Sequence, residues 1–118
     1  NMEGGAYITA PDYADLLLMH LRGGRCGDEQ VLSVDALGRM HTDRTTSTYD
    51  SPEAYGLGWW IDDDADRITD PGAYGAVPWL DLSDGYGAYL VVEADSLAGN
   101  GLAGQLFDVV DDAMNTAG

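Results

Sequence analysis

The apolar positions of this chain change period along its length. In "TAPDYADLLLMHLRGG", residues 9–24, Tyr13, Leu16, Leu17, His20 and Leu21 fall at helical spacing. Thr9 suits the N-cap, Pro11 the first turn where a missing N–H costs nothing, and Gly23-Gly24 the stop. "SVDALGRMHTDR" predicts a second, shorter helix capped by Ser33, with Val34, Leu37 and Met40 on one side and His41 complementing the dipole at its end. After the polar loop "TTSTYDSPEAY" come three strand-like runs: "YGLGWWID", "RITDPGAYGAVPWLDL" and "YGAYLVVEA". Their connections, "DDDAD" and "SDG", are short and polar, which favours antiparallel hairpins over crossovers. In the closing "SLAGNGLAGQLFDVVDDAMNTAG", Leu102, Leu106, Val109, Val110 and Ala113 form one apolar stripe. The pattern therefore predicts an α+β domain over residues 1–118. A lead-in loop, "NMEGGAYIT", precedes two N-terminal helices, a three-stranded antiparallel meander and a C-terminal helix packed on the sheet.

The middle run poses a question, because Asp70-Pro71-Gly72 sits inside what otherwise reads as one strand. Proline removes a ladder hydrogen bond and glycine gives up packing, so such residues belong at an edge, at a bulge, or where something approaches the backbone.

Composition changes the picture mainly through charge. At 45% apolar and 22% charged residues the chain has the makings of a packed core, not a disordered segment. Its formal net charge is −16, and every basic residue is arginine. Without lysine there is no lysine base, Schiff base or P-loop lysine. The repulsive field argues against nucleic acid and against an anionic membrane surface. So much aspartate reads as a solvated acidic surface of the kind a salt-adapted protein carries. No apolar run spans a bilayer, and no Cys/His cluster has zinc spacing, though Asp62, Asp64, Asp66 and Asp70 raise the question of calcium. In "IDDDADRITD" the glycine that a calcium loop needs at its sixth position is Arg67, so the run reads as a solvated hairpin tip. Cys26, in the turn "GGRCGDEQ", is a lone, partly exposed thiol. No cofactor is expected.

The order of these segments resembles the C-terminal part of the serine β-lactamase and penicillin-binding-protein-like hydrolases, in their class C/esterase branch. "GGAYITAPDYADLLLMHLRGGRCGDEQVLSVDALGRM" resembles that family's glycine-rich turn, helix, turn and second short helix. "YGLGWWID" resembles its next strand, "ITDPGAYGAVPWLDLSDGYGAYLVVEA" its paired third-motif strands, and "LFDVVDDAMN" its closing helix. The resemblance implies a partial β-lactamase/transpeptidase-like fold.

In that family the third motif is Lys-Thr-Gly or His-x-Gly on a strand at the edge of the cleft; the matching positions here are Asp70, Pro71 and Gly72. By resemblance these residues, with Tyr74, contact substrate, and the Ala73 amide is an oxyanion donor. Two departures follow. Asp70 stands where the family places a cation or imidazole, so it would repel a substrate carboxylate and would suit a neutral ester better. Ser-x-x-Lys cannot exist here, and no Gly-x-Ser-x-Gly elbow replaces it. The expectation is a C-terminal segment of a larger acyl-enzyme hydrolase, inactive alone. It would pack against its missing upstream segment and self-associate through exposed apolar surface, and the intact parent would act on a small ester or amide.

Two other readings stay open. One is a non-catalytic binding or assembly module, with Trp59, Trp60, Tyr74, Trp79, Tyr86 and Tyr89 as a ligand-facing patch; the structural alternative is ordinary strand packing. The other is a small hydrolase using Ser51 with His20 or His41. The resembled family often works outside the cytoplasm.

Overall fold

The structure is a computed structural model that describes residues 6–117. Residues 1–5 of the expected lead-in loop lie outside this range. Helix α1 (Ala10–Leu21) begins where the Thr9 side chain accepts the Asp12 N–H, with Pro11 in the first turn. It ends at Gly23 and Gly24, whose φ values of 64° and 86° suit glycine. A small hairpin, β1 (Arg25–Cys26) with β2 (Glu29–Gln30), follows around Gly27, and Cys26 is exposed there. Ser33 caps α2 (Val34–Met40) by accepting the Ala36 N–H. The polar loop then holds a single helical turn, α3 (Thr46–Tyr49), organised by Asp43. The Asp43 carboxylate accepts the Thr45, Thr46 and Tyr55 N–H groups, and hydrogen bonds from Thr46 and Thr45 hold its pKa well below the usual carboxylate range.

The main sheet has five strands where the sequence pattern predicts three. Two of the predicted runs each fold back on themselves. "YGLGWWID" turns at Gly58, φ 85°, separating β3 (Ala54–Tyr55) from β4 (Trp60–Asp62). "RITDPGAYGAVPWLDL" breaks into β5 (Arg67–Thr69) and β6 (Ala76–Asp81), and β7 (Tyr86–Val91) completes an antiparallel meander in chain order. Asp70-Pro71-Gly72 therefore lies between strands and not within one. β5 is also the third of five strands, so of the three placements open to such residues the edge, which the family resemblance implies for the third-motif strand, is corrected.

Pro78 explains the break. The register pairs Thr69 with Trp79, so the next pair in line is Asp70 with Pro78. The Asp70 N–H still donates to the Pro78 carbonyl at 3.4 Å, joined by the Thr69 hydroxyl at 2.8 Å. Proline has no N–H to return the bond, so the Asp70 carbonyl loses its ladder partner and the chain leaves the sheet there.

Alternation along β6 gives the sheet two apolar faces. On one, Ile68, Leu80 and Trp59 pack with Leu17 of α1; on the other, Val77, Trp79 and Tyr86 pack with Ala103 of α4 (Ser96–Ala117). The result is helix, sheet, helix, with β6 buried on both sides. α1 docks closely because Gly87 has no side chain; a Cβ there would sit 3.1 Å from that of Leu17. The stripe predicted for α4 is rotated. Gly99, Ala103, Phe107 and Val110 face the sheet, while Leu102 and Val109 stay exposed. Small residues decide this, since a Cβ on Gly99 would lie 2.8 Å from the Gly75 Cα.

One charge is buried under α4. The Arg67 guanidinium donates to Asp111 at 2.8 Å and lies 4.2 Å over the Phe107 ring. Tyr86 donates its hydroxyl to the other Asp111 oxygen, and burial followed by that hydrogen bond pushes the phenol up to about 12. Replacing Asp111 strands a buried cation. Asp111→Ala is expected to cost about 3 kcal/mol in urea unfolding, and Arg67→Met/Asp111→Leu together much less.

Candidate functional site

The loop between β5 and β6 is held at both ends. The Gly72 N–H donates to the Ala76 carbonyl at 2.7 Å, and the Val92 N–H donates to the Gly75 carbonyl at 3.1 Å. Gly75 has φ 94°, and a Cβ there would meet the Val92 oxygen at 2.3 Å, so only glycine fits. A Cβ on Gly72 would lie 3.3 Å from the Ala76 oxygen, which gives this glycine a packing role in addition to any substrate contact. Ala73 and Tyr74 form the exposed tip, with Tyr74 88% exposed. Among the described residues the Ala73 N–H has no backbone acceptor, and the tip is covered neither by the sheet ladder nor by α4.

The loop separates two environments. On the α1 side is the half-buried Asp70 carboxyl, raised in pKa by that burial. Its negative charge acts on two phenols, Tyr13 of α1 and Tyr55 of β3, both raised by burial first and by Asp70 second. Tyr13 in turn stacks on Tyr89 of β7 with ring centroids 4.2 Å apart. Among the described residues Asp70 has no salt-bridge partner.

On the other side an open groove of about 540 Å³ runs beside Thr69 and Pro71. Trp60, 40% exposed, lines it and meets Tyr55 edge-on at 4.6 Å. Glu53, Asp62, Asp63 and Asp64 line it too, with Asn100 of α4 at the rim. Periodicity could place Tyr13 on the inner stripe of α1, but nothing in the sequence signals that Tyr55 and Tyr13 converge on Asp70. That meeting depends on strand register and on where α1 lands.

The remaining candidates separate. The proposed aromatic patch divides: Trp59, Trp79 and Tyr86 are core residues, Tyr89 is half-buried, and only Trp60 and Tyr74 are exposed. Ser51 spends its hydroxyl on its own loop, donating to the Glu53 carbonyl and accepting the Glu53 N–H. The two histidines find each other instead, His20 Nδ1 and His41 Nε2 lying 2.9 Å apart with both rings edge-on to Trp59. No described hydrogen bond joins Ser51 to either ring, so the Ser-His arrangement is not assembled. His41 also does more than complement the α2 dipole, since it ties α2 to α1. Among the described residues no three His, Cys, Asp or Glu side chains are grouped to hold a metal, and no helix is long and apolar enough to cross a membrane.

No family model matches the sequence, and no curated protein matches it either. Among solved structures it is similar to a "putative beta-lactamase" from Bacteroides dorei, at 25% identity with a TM-score of 0.66. The similarity covers 91% of this chain but only 40% of that protein's. The fold is thus β-lactamase-like, and the chain spans less than half the length of that neighbour.

Two tests follow from the electrostatics. Asp70 has a folded pKa above its unfolded one, so any stability it contributes is present at low pH and is lost as the carboxyl ionises. Asp70→Asn is therefore expected to raise the melting temperature at pH 7, with the gain fading below about pH 4. A lower melting temperature at pH 7 contradicts an unpaired carboxylate. The histidines run the other way. Burial lowers His20 to about 4, with the neighbouring His41 adding to the effect, and burial also lowers His41. Their contribution is complete above about pH 6.5 and lost as pH falls toward 4. Unfolding free energy should drop over that window by on the order of 1–2 kcal/mol more in the parent chain than in His20→Gln/His41→Gln.

Proposed function

We propose that this chain is the third-motif portion of a serine β-lactamase-like hydrolase that works through an acyl-enzyme, with the nucleophile and its base supplied by a segment outside these 118 residues. The observation that carries the reading is the Asp70-Pro71-Gly72-Ala73 loop. By sequence resemblance it matches the family's third motif, its tip is open, and the Ala73 N–H has no backbone acceptor among the described residues. A fixed amide of this kind can hold the oxygen of a tetrahedral intermediate where negative charge develops. The chain's 40% share of the β-lactamase-like neighbour fits a division in which other segments bring the serine.

In this mechanism the upstream serine attacks the carbonyl carbon of an ester or amide, passing its proton to the upstream base. The Ala73 N–H receives the oxyanion, and the C–O or C–N bond breaks as the base returns that proton to the leaving alcohol or amine. Water, deprotonated by the same base, later frees the acyl group as its acid and restores the serine. Pro71 and Gly72 border the acyl group and Tyr74 stands at the tip. Asp70 disfavours a substrate carboxylate nearby, which turns the reading from β-lactams and D-alanyl peptides toward uncharged acyl groups.

A second reading has its own support. Asp70, which has no salt-bridge partner among the described residues and stands where the resembled family holds a cation, suits a β-lactamase-like binding or assembly module without chemistry. Hydrolysis of p-nitrophenyl acetate separates the two. The 118-residue chain alone is expected to show no turnover above buffer, and the chain joined to its upstream sequence a rate abolished by replacing the upstream serine. No turnover in the joined protein leaves the binding module.

A further inference from the structure

The groove beside the Pro71 loop has a composition that selects by charge. Its volume of about 540 Å³ is in the range of small-molecule sites. Trp60 supplies an aromatic surface in its wall, and Pro52, Ala54 and Pro71 add apolar contact. No arginine lines it, and the described arginine contacts lie elsewhere. Arg67 is sealed against Asp111, Arg39 pairs with Asp35, and Arg25 and Arg44 donate to backbone carbonyls. Among the described residues no cation lines the groove beside Glu53 and Asp64, and Asp70 adds negative charge between the lining residues Thr69 and Pro71. An anion would be repelled on entry, and a neutral ligand could gain hydrogen bonds from the carboxylates but not their charge attraction. An alkylated ammonium group matches both features. Its charge is attracted by the carboxylates and the Trp60 face, and its methyl groups can bury against the indole and the prolines.

We propose that the groove between the β3–β4 hairpin and the Pro71 loop binds a small organic cation of the quaternary or alkylated ammonium class, held by Trp60 and the flanking carboxylates. The inference deepens the acyl-transfer reading and rests on it in one respect only. If the loop handles an acyl substrate, that substrate carries its positive charge in this groove.

Equilibrium binding tests this without any turnover. Choline is titrated into the 118-residue chain by calorimetry at about 0.15 M salt, where diffuse attraction to an acidic surface is largely screened. Its uncharged isostere 3,3-dimethylbutan-1-ol and acetate are the controls. The expected result is saturable one-to-one binding of choline, weakened about fivefold or more by Trp60→Ala and by Glu53→Gln/Asp64→Asn, with the isostere weaker by a similar factor and acetate silent. All these substitutions are at exposed positions, and an unchanged melting temperature verifies that the variants are folded. Three outcomes overturn the proposal: no saturable choline binding, equal binding of the uncharged isostere, or choline binding unmoved by both sets of substitutions. Choline binding without hydrolysis in the joined protein keeps the groove and removes the acyl-transfer reading. Hydrolysis without choline binding does the reverse.

Discussion

Pro78 stands in the middle of the most buried strand with no N–H to give, and the rest of the site is arranged around that lack. Its carbonyl still holds the Asp70 amide and the Thr69 hydroxyl, so β5 is anchored up to that point and released immediately after it. The released chain cannot wander. Gly75 is locked against β7 through Val92, and Gly99 of α4 presses on Gly75 so closely that no side chain fits between them. An open loop tip thus hangs from two rigid points, the condition under which a backbone amide can be aimed at a reacting atom without reorganising.

Charge is treated in two contrasting ways on the two faces of the sheet. Under α4, Arg67 is given a carboxylate, and that carboxylate is given a phenol as well. Burial is tolerable because the two charges are paired, although among the described residues the Arg67 Nε has no acceptor. Asp70, by contrast, is half-buried with no salt-bridge partner among the described residues, its charge raises the Tyr13 and Tyr55 phenols, and the groove wall beside Pro71 is acidic too. Strained electrostatics of this kind cluster where a protein meets a ligand, whereas the paired network is what structural burial looks like.

Much of the fold was legible in the chain, and the reasons are local. Thr9 and Ser33 cap the helices they were expected to cap, Gly23-Gly24 stop the first, and the sheet is an antiparallel meander. The strand count failed because each of two apolar runs hides a reversal. Gly58 and Gly75 sit at positive φ, which a glycine in a strand-like string does not announce. The buried side of α4 was misread because hydrophobic periodicity weights leucine and valine. Close approach here selects Gly99 and Ala103, which carry almost no hydrophobic signal. The loop from Asp70 to Tyr74 was legible as a break in the strand pattern, but its surroundings were not.

What the sequence determined alone is whatever depends on neighbours along the chain: caps, stops, the short hairpin links, and an acidic surface without lysine. The tertiary structure decided which distant groups share a dielectric environment. It brought Tyr13 and Tyr55 within reach of the Asp70 charge, put His20 against His41 instead of against Ser51, and left Trp60 beside carboxylates and away from the core. Those meetings depend on register and helix docking, which are set by packing over the whole sheet and by a few missing side chains, and no local pattern encodes them.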